Sequence, residues 1–213
     1  MATKKAANTR KPDDLFTQIV TASKQSPHRP FDTSLCEDFL RLYYSDVNIE
    51  DLKDYAPEDL AYAALSHLTL GSKRKPRDIR VRVYNPQPKT DGWRSLHTII
   101  ETVTVDMPFL VDSITMAAQK HGLSVHQTTH PIIAVQRNDN TSEAEAFSSQ
   151  GSFTDSDESF VHLEVDRISG SDKLERIQRD IGRSLKDTAA AVHDWTAMRD
   201  RAESLAYELD PAT

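Results

Sequence analysis

Hydrophobic residues in the first third of the chain recur at the three- to four-residue spacing of amphipathic helices. Three stretches show this spacing, with apolar positions at Leu15, Phe16, Ile19 and Val20, then at Leu35, Phe39, Leu40 and Tyr43, and then at Leu60, Ala61, Ala64, Leu65 and Leu68. Ser34 with Glu37 predicts a capping box for the second helix, and Pro57 and Gly71 predict the start and the end of the third. We therefore expect a flexible basic tail over residues 1–12 and a helical segment over residues 13–72.

A period of two replaces the helical spacing further along the chain. Over residues 78–85 the apolar positions alternate with Arg80, Arg82 and Tyr84, which predicts a half-buried strand. A turn-rich segment separates it from a second predicted strand at about residues 95–105. The two strands are therefore expected to pair as an antiparallel hairpin.

The remaining pattern predicts a helix, two more strands and a final helix. The first of these helices follows directly on the second strand and ends at His121, and strands are expected at about residues 124–137 and 159–167. The segment 138–157 between them has no apolar period, which predicts a long mobile loop. The last helix opens at Ser171, and a similar apolar stripe continues from Trp195 to Leu209. The order ββαββα behind a helical segment is typical of an α+β fold.

Composition and charge narrow the possible functions. The 213 residues include 33 acidic and 26 basic side chains, and the net charge of −7 disfavours nucleic acid or an anionic membrane as a partner. The basic run KRKPRDIRVR at residues 73–82 lacks interleaved aromatic residues and is typical of a charged linker and edge strand. The single cysteine, Cys36, favours the reducing cytoplasm, and no apolar run reaches the length of a membrane span.

The sequence offers little that could perform catalysis. Its six glycines are too far apart for the Gly-x-Gly-x-x-Gly turn that binds a dinucleotide, and Glu164 and Asp166 alternate on a strand without a nearby nucleophile. His126 and His130 share a strand face but lie roughly 13 Å apart, too far for two bonds to one ion. Pairing of His162 with one of them across the sheet stays open. We predict no catalytic residue, cofactor or metal site in this chain.

The junction between the second strand and the helix that follows it carries the most distinctive motif. It reads Asp106, Met107, Pro108, Phe109, Leu110, Val111, Asp112 and Ser113. Asp106 is predicted to cap the helix and Pro108 to lie in its first turn, where a missing N–H is harmless. The free N–H groups of such a helix start favour an anionic ligand group.

This motif and its surroundings resemble a known family. The stretch HTIIETVTVDMPFLVDSITMAAQKHGLSVHQTTHPIIAVQRN at residues 97–138 and the stretch DESFVHLEVDR at residues 157–167 resemble the N-terminal ACT-type region of large-subunit NAD-dependent glutamate dehydrogenases. The resemblance implies an ACT-like, ferredoxin-like antiparallel sheet over residues 73–195. The last strand of the βαββαβ pattern of an ACT domain is missing from this sequence, and we predict that the strand at 78–85 replaces it. The resemblance also implies that the catalytic and NAD-binding domains lie downstream, beyond a helical tail at residues 196–213.

The resemblance gives the junction a functional interpretation. ACT domains commonly bind an amino acid at this loop, so residues 106–113 are the candidate effector site. The alternative is an ordinary helix start without a ligand. Phe109 stands where ACT domains typically have a glycine, and its ring is expected to fill part of the pocket.

Strand parity places polar side chains on one face of the predicted sheet. The candidate interface residues on this face are Arg80, Arg82, His126, His130, His162 and Glu164. Such a face is solvated, covered by the N-terminal helices, or used as an interface with another chain or domain.

We predict a non-catalytic regulatory and assembly region of a large NAD-dependent glutamate dehydrogenase, with a possible amino-acid effector. Its expected partners are the downstream domains of the same polypeptide and further copies of itself. The alternative is a ligand-free oligomerisation module that uses the sheet face or the stripe from Trp195 to Leu209.

Overall fold

Helices cover both faces of a six-stranded antiparallel sheet. The computed structural model describes residues 12–153 and 157–208, so most of the predicted basic tail and the end of the predicted helical tail lie outside the described residues. The helices are α1 (Pro12–Ser23), α2 (Thr33–Tyr43), α3 (Ile49–Leu52), α4 (Pro57–Gly71), α5 (Leu110–Lys120) and α6 (Ser171–Glu208). The strands are β1 (Arg80–Tyr84), β2 (Thr98–Val105), β3 (Val125–Thr129), β4 (Ile132–Arg137), β5 (Ala144–Ser149) and β6 (Asp157–Val165).

The strands follow the spatial order β1-β2-β6-β4-β5, and β3 pairs with the other half of β6. The predicted hairpin forms, since β1 and β2 pair antiparallel from Arg80 opposite Val103 to Tyr84 opposite Ile99. The predicted third strand is divided into β3 and β4 at Pro131. Proline has no N–H to donate to the sheet, although the Pro131 carbonyl still accepts from the Phe160 N–H at 3.0 Å.

The prediction of a loop over residues 138–157 is wrong in its middle part. Strand β5 lies there and pairs antiparallel with β4. Its Phe147 ring packs 5.3 Å from the Phe39 ring of α2, and Ala144 is buried beside it in the core. The strand therefore depends on contacts with distant helices, which its own weakly apolar sequence does not reveal.

The N-terminal helical segment also differs in detail from the prediction. The N-cap of α2 is Asp32, whose Oδ1 accepts the Leu35 N–H at 2.9 Å, so the predicted capping box of Ser34 and Glu37 is wrong. A fourth, single-turn helix, α3, precedes α4 and is capped by Asn48. Such a short helix shows no hydrophobic period.

Successive residues of β6 face two different cores, because side chains alternate across a strand. Phe160 joins Val103 and Ile133 on the face covered by α1, α2 and α4. Val161 and Leu163 lie on the opposite face, covered by α5 and α6. The central strand is consequently buried on both sides.

Gly71 ends α4, as predicted, and it lies against the centre of the first core. A Cβ atom at this position would lie 2.9 Å from Phe160 Cε1 and 3.2 Å from Val103 Cγ1. The absence of a side chain is what allows the end of α4 to approach the sheet.

Phe160→Ala should lower the free energy of unfolding by about 3–5 kcal/mol, because it leaves a cavity between α2, α4 and the sheet. Urea denaturation followed by circular dichroism measures the change. Leu96→Ala, which truncates an exposed apolar side chain, is the matched control and should stay near the wild type. Equal losses in both variants would contradict this location of the core.

Candidate functional site

Helix α4 covers the centre of the predicted polar face, so much of that face is packed within the chain. The side chain of Glu101, on β2, lies at the centre of this covered face and is fully buried. Arg82 donates to Glu101 Oε2 from Nε at 2.9 Å and also from Nη2. The Tyr84 hydroxyl donates to Oε1 at 3.2 Å, and His162 Nδ1 lies 3.4 Å from the same atom.

His67 connects α4 to this network. Its Nε2–H donates to the Thr102 carbonyl at 3.2 Å, which leaves Nδ1 to accept from the Tyr43 hydroxyl at 2.9 Å. Burial lowers the pKa of His67 to about 4, although the charge of Glu101 acts in the opposite direction. The ring is therefore neutral at pH 7, in agreement with its hydrogen bonds.

Glu101 is buried but ionised. Burial alone would raise its pKa, but Arg82, His67 and His162 together lower the pKa to about 2. The pair of Glu101 and Arg82 is a buried charge with a compensating partner, which proteins tolerate when the remaining lone pairs accept hydrogen bonds.

The ligand atoms of His67, Glu101 and His162 lie within 4.8 Å of one another, which is a possible metal-binding arrangement among the described residues. Two observations oppose a metal ion. Arg82 already neutralises Glu101, and both ring nitrogens of His67 have hydrogen-bond partners. We assign this cluster a structural role.

The predicted interface residues are separated by this packing. His162 and Glu164 are buried within the chain, and Arg82 is largely covered, so these three do not form a free surface. Arg80 and His126 are more exposed, and His126 Nε2 lies 2.8 Å from Asp166 Oδ1. The interface prediction for Arg80, His126 and His130 stays a prediction.

A second buried carboxylate, Glu158, was not anticipated from the sequence. Arg74 pairs with its Oε1 at 2.8 Å and Arg137 with the same oxygen at 2.6 Å. Arg137 also donates to the Gly71 carbonyl at 2.8 Å. Arg74 belongs to the run interpreted as a charged linker, and the structure shows that it is an internal ion-pair partner.

The junction at residues 106–113 differs from its predicted geometry. Asp106 continues the sheet by donating its N–H to the Asp157 carbonyl at 2.9 Å, so the predicted cap at Asp106 and first-turn position of Pro108 are wrong. The N-cap is Phe109, with a left-handed φ of 69°, no side-chain cap and a side chain 68% exposed. Leu110 is buried, and Ser113 Oγ lies 2.7 Å from Thr188 Oγ1 of α6.

The electrostatics of the junction are modest. Burial raises the pKa of Asp106, and the neighbouring His130 opposes that effect.

The described part of the chain has three cavities whose lining includes none of residues 106–113.

The largest of these cavities is a groove of about 1050 Å³ between α3, the segment before β2, and β3. Five carboxylates line it, from Glu50, Asp51, Asp54, Asp59 and Glu164. Arg94, His97 and His126 line it as well, and the two histidine rings stack with their centroids 4.4 Å apart. The sequence gives little sign of this groove, because α3, the segment before β2, β3 and β6 come together only in the fold.

The low pKa of His67 makes stability depend on pH. Since its folded pKa of about 4 lies below the usual 6.5, the unfolded chain takes up a proton that the folded chain excludes between these values. The free energy of unfolding should therefore fall as pH drops from 6.5 to 4, by up to about 1.4 kcal/mol per pH unit for one proton. In urea titrations, His67→Gln should reduce this slope, whereas His193→Gln, at an exposed position, should keep it. An unchanged slope in His67→Gln would contradict a neutral buried ring.

Among the described residues, no helix combines the length and the apolar character that crossing a bilayer demands.

The family profile described as glutamate dehydrogenase, ACT1 domain, matches residues 39–181. The chain is 35% identical over 173 residues to the NAD-specific glutamate dehydrogenase of Halomonas elongata, and 31% identical over 169 residues to that of Pseudomonas aeruginosa. These matches cover 81% and 78% of the chain but only 11% and 10% of the two relatives, so the chain spans about a tenth of their length. Because the family profile covers more than half of its residues, this chain belongs to the glutamate dehydrogenase ACT1 domain family.

Proposed function

We propose that this chain is the N-terminal regulatory and assembly region of an NAD-specific glutamate dehydrogenase. In the complete enzyme, other domains would bind NAD and convert glutamate, water and NAD to 2-oxoglutarate, ammonia and NADH. The ACT1 family match and the two relatives named NAD-specific glutamate dehydrogenase support this assignment. The chain itself would act through its contacts with the rest of the enzyme.

The ACT-like interpretation of the sheet belongs to this proposal. In a ferredoxin-like sheet the last strand lies antiparallel beside the first strand of the βαββαβ unit. Here β2 would be that first strand, and β1 pairs antiparallel with its outer edge. We therefore interpret β1 as the replacement for the last strand.

The exposed apolar side chains on the second half of α6 support a role in assembly. The first half of this 38-residue helix packs on the sheet through Ile177, Ile181 and Leu185. Further along, Trp195 and Met198 are 63% and 65% exposed, and Leu205 continues on the same face. A helix with an apolar stripe toward solvent is typical of a segment that docks on a partner. The partner would be the rest of the same polypeptide or a second copy.

Replacing Trp195 and Met198 by serine should weaken docking by at least about tenfold, because large apolar side chains commonly dominate interface energies. The remaining part of the enzyme, produced as a separate chain, can be titrated with this chain and followed by light scattering. The same measurement on this chain alone detects self-association.

Asp200→Ser, on the opposite side of α6, is the matched control and should bind as the wild type does. Self-association without binding to the rest of the enzyme would favour the oligomerisation module. A wild-type chain that binds neither partner would contradict an assembly role.

Amino-acid sensing at residues 106–113 is a second candidate function. It is supported by the uncapped start of α5, where the left-handed Phe109 offers no side-chain acceptor to the first-turn N–H groups. A ligand carboxylate would satisfy those groups. The exposed Phe109 ring would have to move or to cover the ligand.

Titration with a panel of amino acids, followed by NMR, should give saturable shifts of the backbone amides between Asp106 and Ser113. Phe109→Gly should strengthen binding, because glycine adopts the same left-handed backbone without strain and opens space. Phe31→Leu, at a partly buried position that packs against the core near α2, is a control that leaves the junction intact. Unchanged amides with every amino acid would exclude this site as a sensor.

A further inference from the structure

Three buried glutamates lie on the sheet face beneath the N-terminal helices, and their partners differ. Glu101 pairs with Arg82, and Glu158 pairs with both Arg74 and Arg137. Glu164 is only 4% exposed, yet among the described residues no arginine or lysine forms an ion pair with it. Its neighbours are the Ser95 hydroxyl at 3.3 Å, His97 Nε2 at 3.9 Å and the Tyr55 hydroxyl, which also hydrogen-bonds to this carboxylate. The two hydroxyls are neutral donors, so a cationic group of a ligand would be a favourable additional partner for this buried carboxylate.

Glu164 lines the 1050 Å³ groove described above, so a cation bound in this groove could contact its carboxylate. Asp51, Asp54 and Asp59 line the same groove, and Glu50 at its edge already pairs with Lys53. Arg94 is the single arginine or lysine among its lining residues. The strong excess of carboxylates concentrates cations and repels ligands with a net negative charge.

A small cavity beside the groove contains a hydrogen-bond donor that an oxygen atom of a ligand could pair with. Its volume is about 30 Å³, and Tyr55, Asp59, Gln127 and Glu164 line both it and the groove. The Trp93 indole lines the small cavity and is 4% exposed, and its Nε1–H has no hydrogen-bond partner among the described residues. A buried N–H donor is costly unless an acceptor comes from a ligand or from water.

Aromatic side chains around the small cavity favour an organic cation over a metal ion. Tyr43, Tyr44, Tyr55 and Trp93 line it together with Glu164. Aromatic faces attract ammonium groups, whereas Ca²⁺ and Mg²⁺ require six or more oxygen ligands in a closed shell. The groove also has the volume of a site for an organic molecule.

We propose that the groove binds a small organic ammonium compound with a neighbouring hydroxyl, an amino alcohol being the simplest member. Its ammonium group pairs with Glu164, and its hydroxyl oxygen accepts the Trp93 Nε1–H. The remaining carboxylates of the groove exclude anionic ligands. This site is separate from residues 106–113 and does not depend on the assignment to a dehydrogenase.

Ethanolamine is the first probe, and Trp93 is the reporter in a Trp195→Phe background, because the chain has only these two tryptophans. At constant ionic strength, ethanolamine should change the Trp93 fluorescence in a saturable way. Ethylene glycol, which replaces the ammonium by a hydroxyl, should not bind, and ethylamine, which lacks the oxygen, should bind more weakly.

Glu164→Gln should weaken ethanolamine binding roughly 10- to 100-fold, the range expected for a hydrogen bond to a charged group. Glu175→Gln makes the same charge change on the exposed surface of α6 and should leave binding unchanged. Circular dichroism checks that Glu164→Gln is folded. If it is not, Asp54→Asn, which also alters a carboxylate lining the groove, is the second variant and should cause a smaller loss of ethanolamine affinity.

Three results would overturn the proposal. The first is the absence of saturable binding by ethanolamine or ethylamine. The second is an equal loss of binding in Glu164→Gln and Glu175→Gln, which would indicate a general charge effect. The third is displacement of ethanolamine by Mg²⁺ or Ca²⁺ at lower concentration, which would identify a metal site.

Discussion

The N-terminal helices can pack on the sheet because the charges on its covered face are neutralised within the chain. Glu101 would be prohibitively costly beneath α4 without Arg82, and Glu158 has two arginines in the same role. His67 completes the arrangement by bonding the sheet backbone at Thr102 and the α2 side chain Tyr43 at once. These polar contacts fix the position of α4, while the apolar contacts around Phe160 supply most of the favourable burial.

The extent to which a buried charge is paired within the chain distinguishes residues that stabilise the fold from residues that are available to a ligand. A fully compensated group such as Glu101 contributes to a single, well-defined packing and has no capacity left for a ligand. Glu164 lies on the same face and is almost as deeply buried, but its partners are the hydroxyls of Ser95 and Tyr55 and the more distant His97, with no arginine or lysine among the described residues. Natural proteins tolerate such local incompleteness mainly at sites that serve a function, and here it coincides with the acidic groove.

The sequence predicts those parts of the fold whose hydrophobic period is strong. The helix faces containing Leu15, Phe39 and Leu65, and the hairpin of β1 and β2, follow from local pattern. Strand β5 does not, because its Phe147 packs against the rings of Phe39 in α2 and of Phe31 just before α2, which are far away in the sequence. The start of α5 was misplaced because Asp106 satisfies its N–H in the sheet, an outcome that competes with helix capping and depends on Asp157. The sequence does not predict the groove, because its carboxylates come from α3, the turn after α3, α4 and β6, and no local motif links them.

The distribution of exposed apolar side chains connects the fold to a role in a larger assembly. Leu96 and Val105 are exposed before and at the end of β2. The other exposed large apolar side chains of the described residues lie at the start of α5 (Phe109), on α5 (Met116) and on α6 (Trp195, Met198 and Leu205). These two helices pack against each other on the face of the sheet opposite to α4. One face of the sheet therefore carries the buried charges and the groove, and the other carries the apolar surfaces suited to docking. Because β6 lies between them, a ligand at Glu164 and a partner on α6 would act on opposite sides of the same central strand.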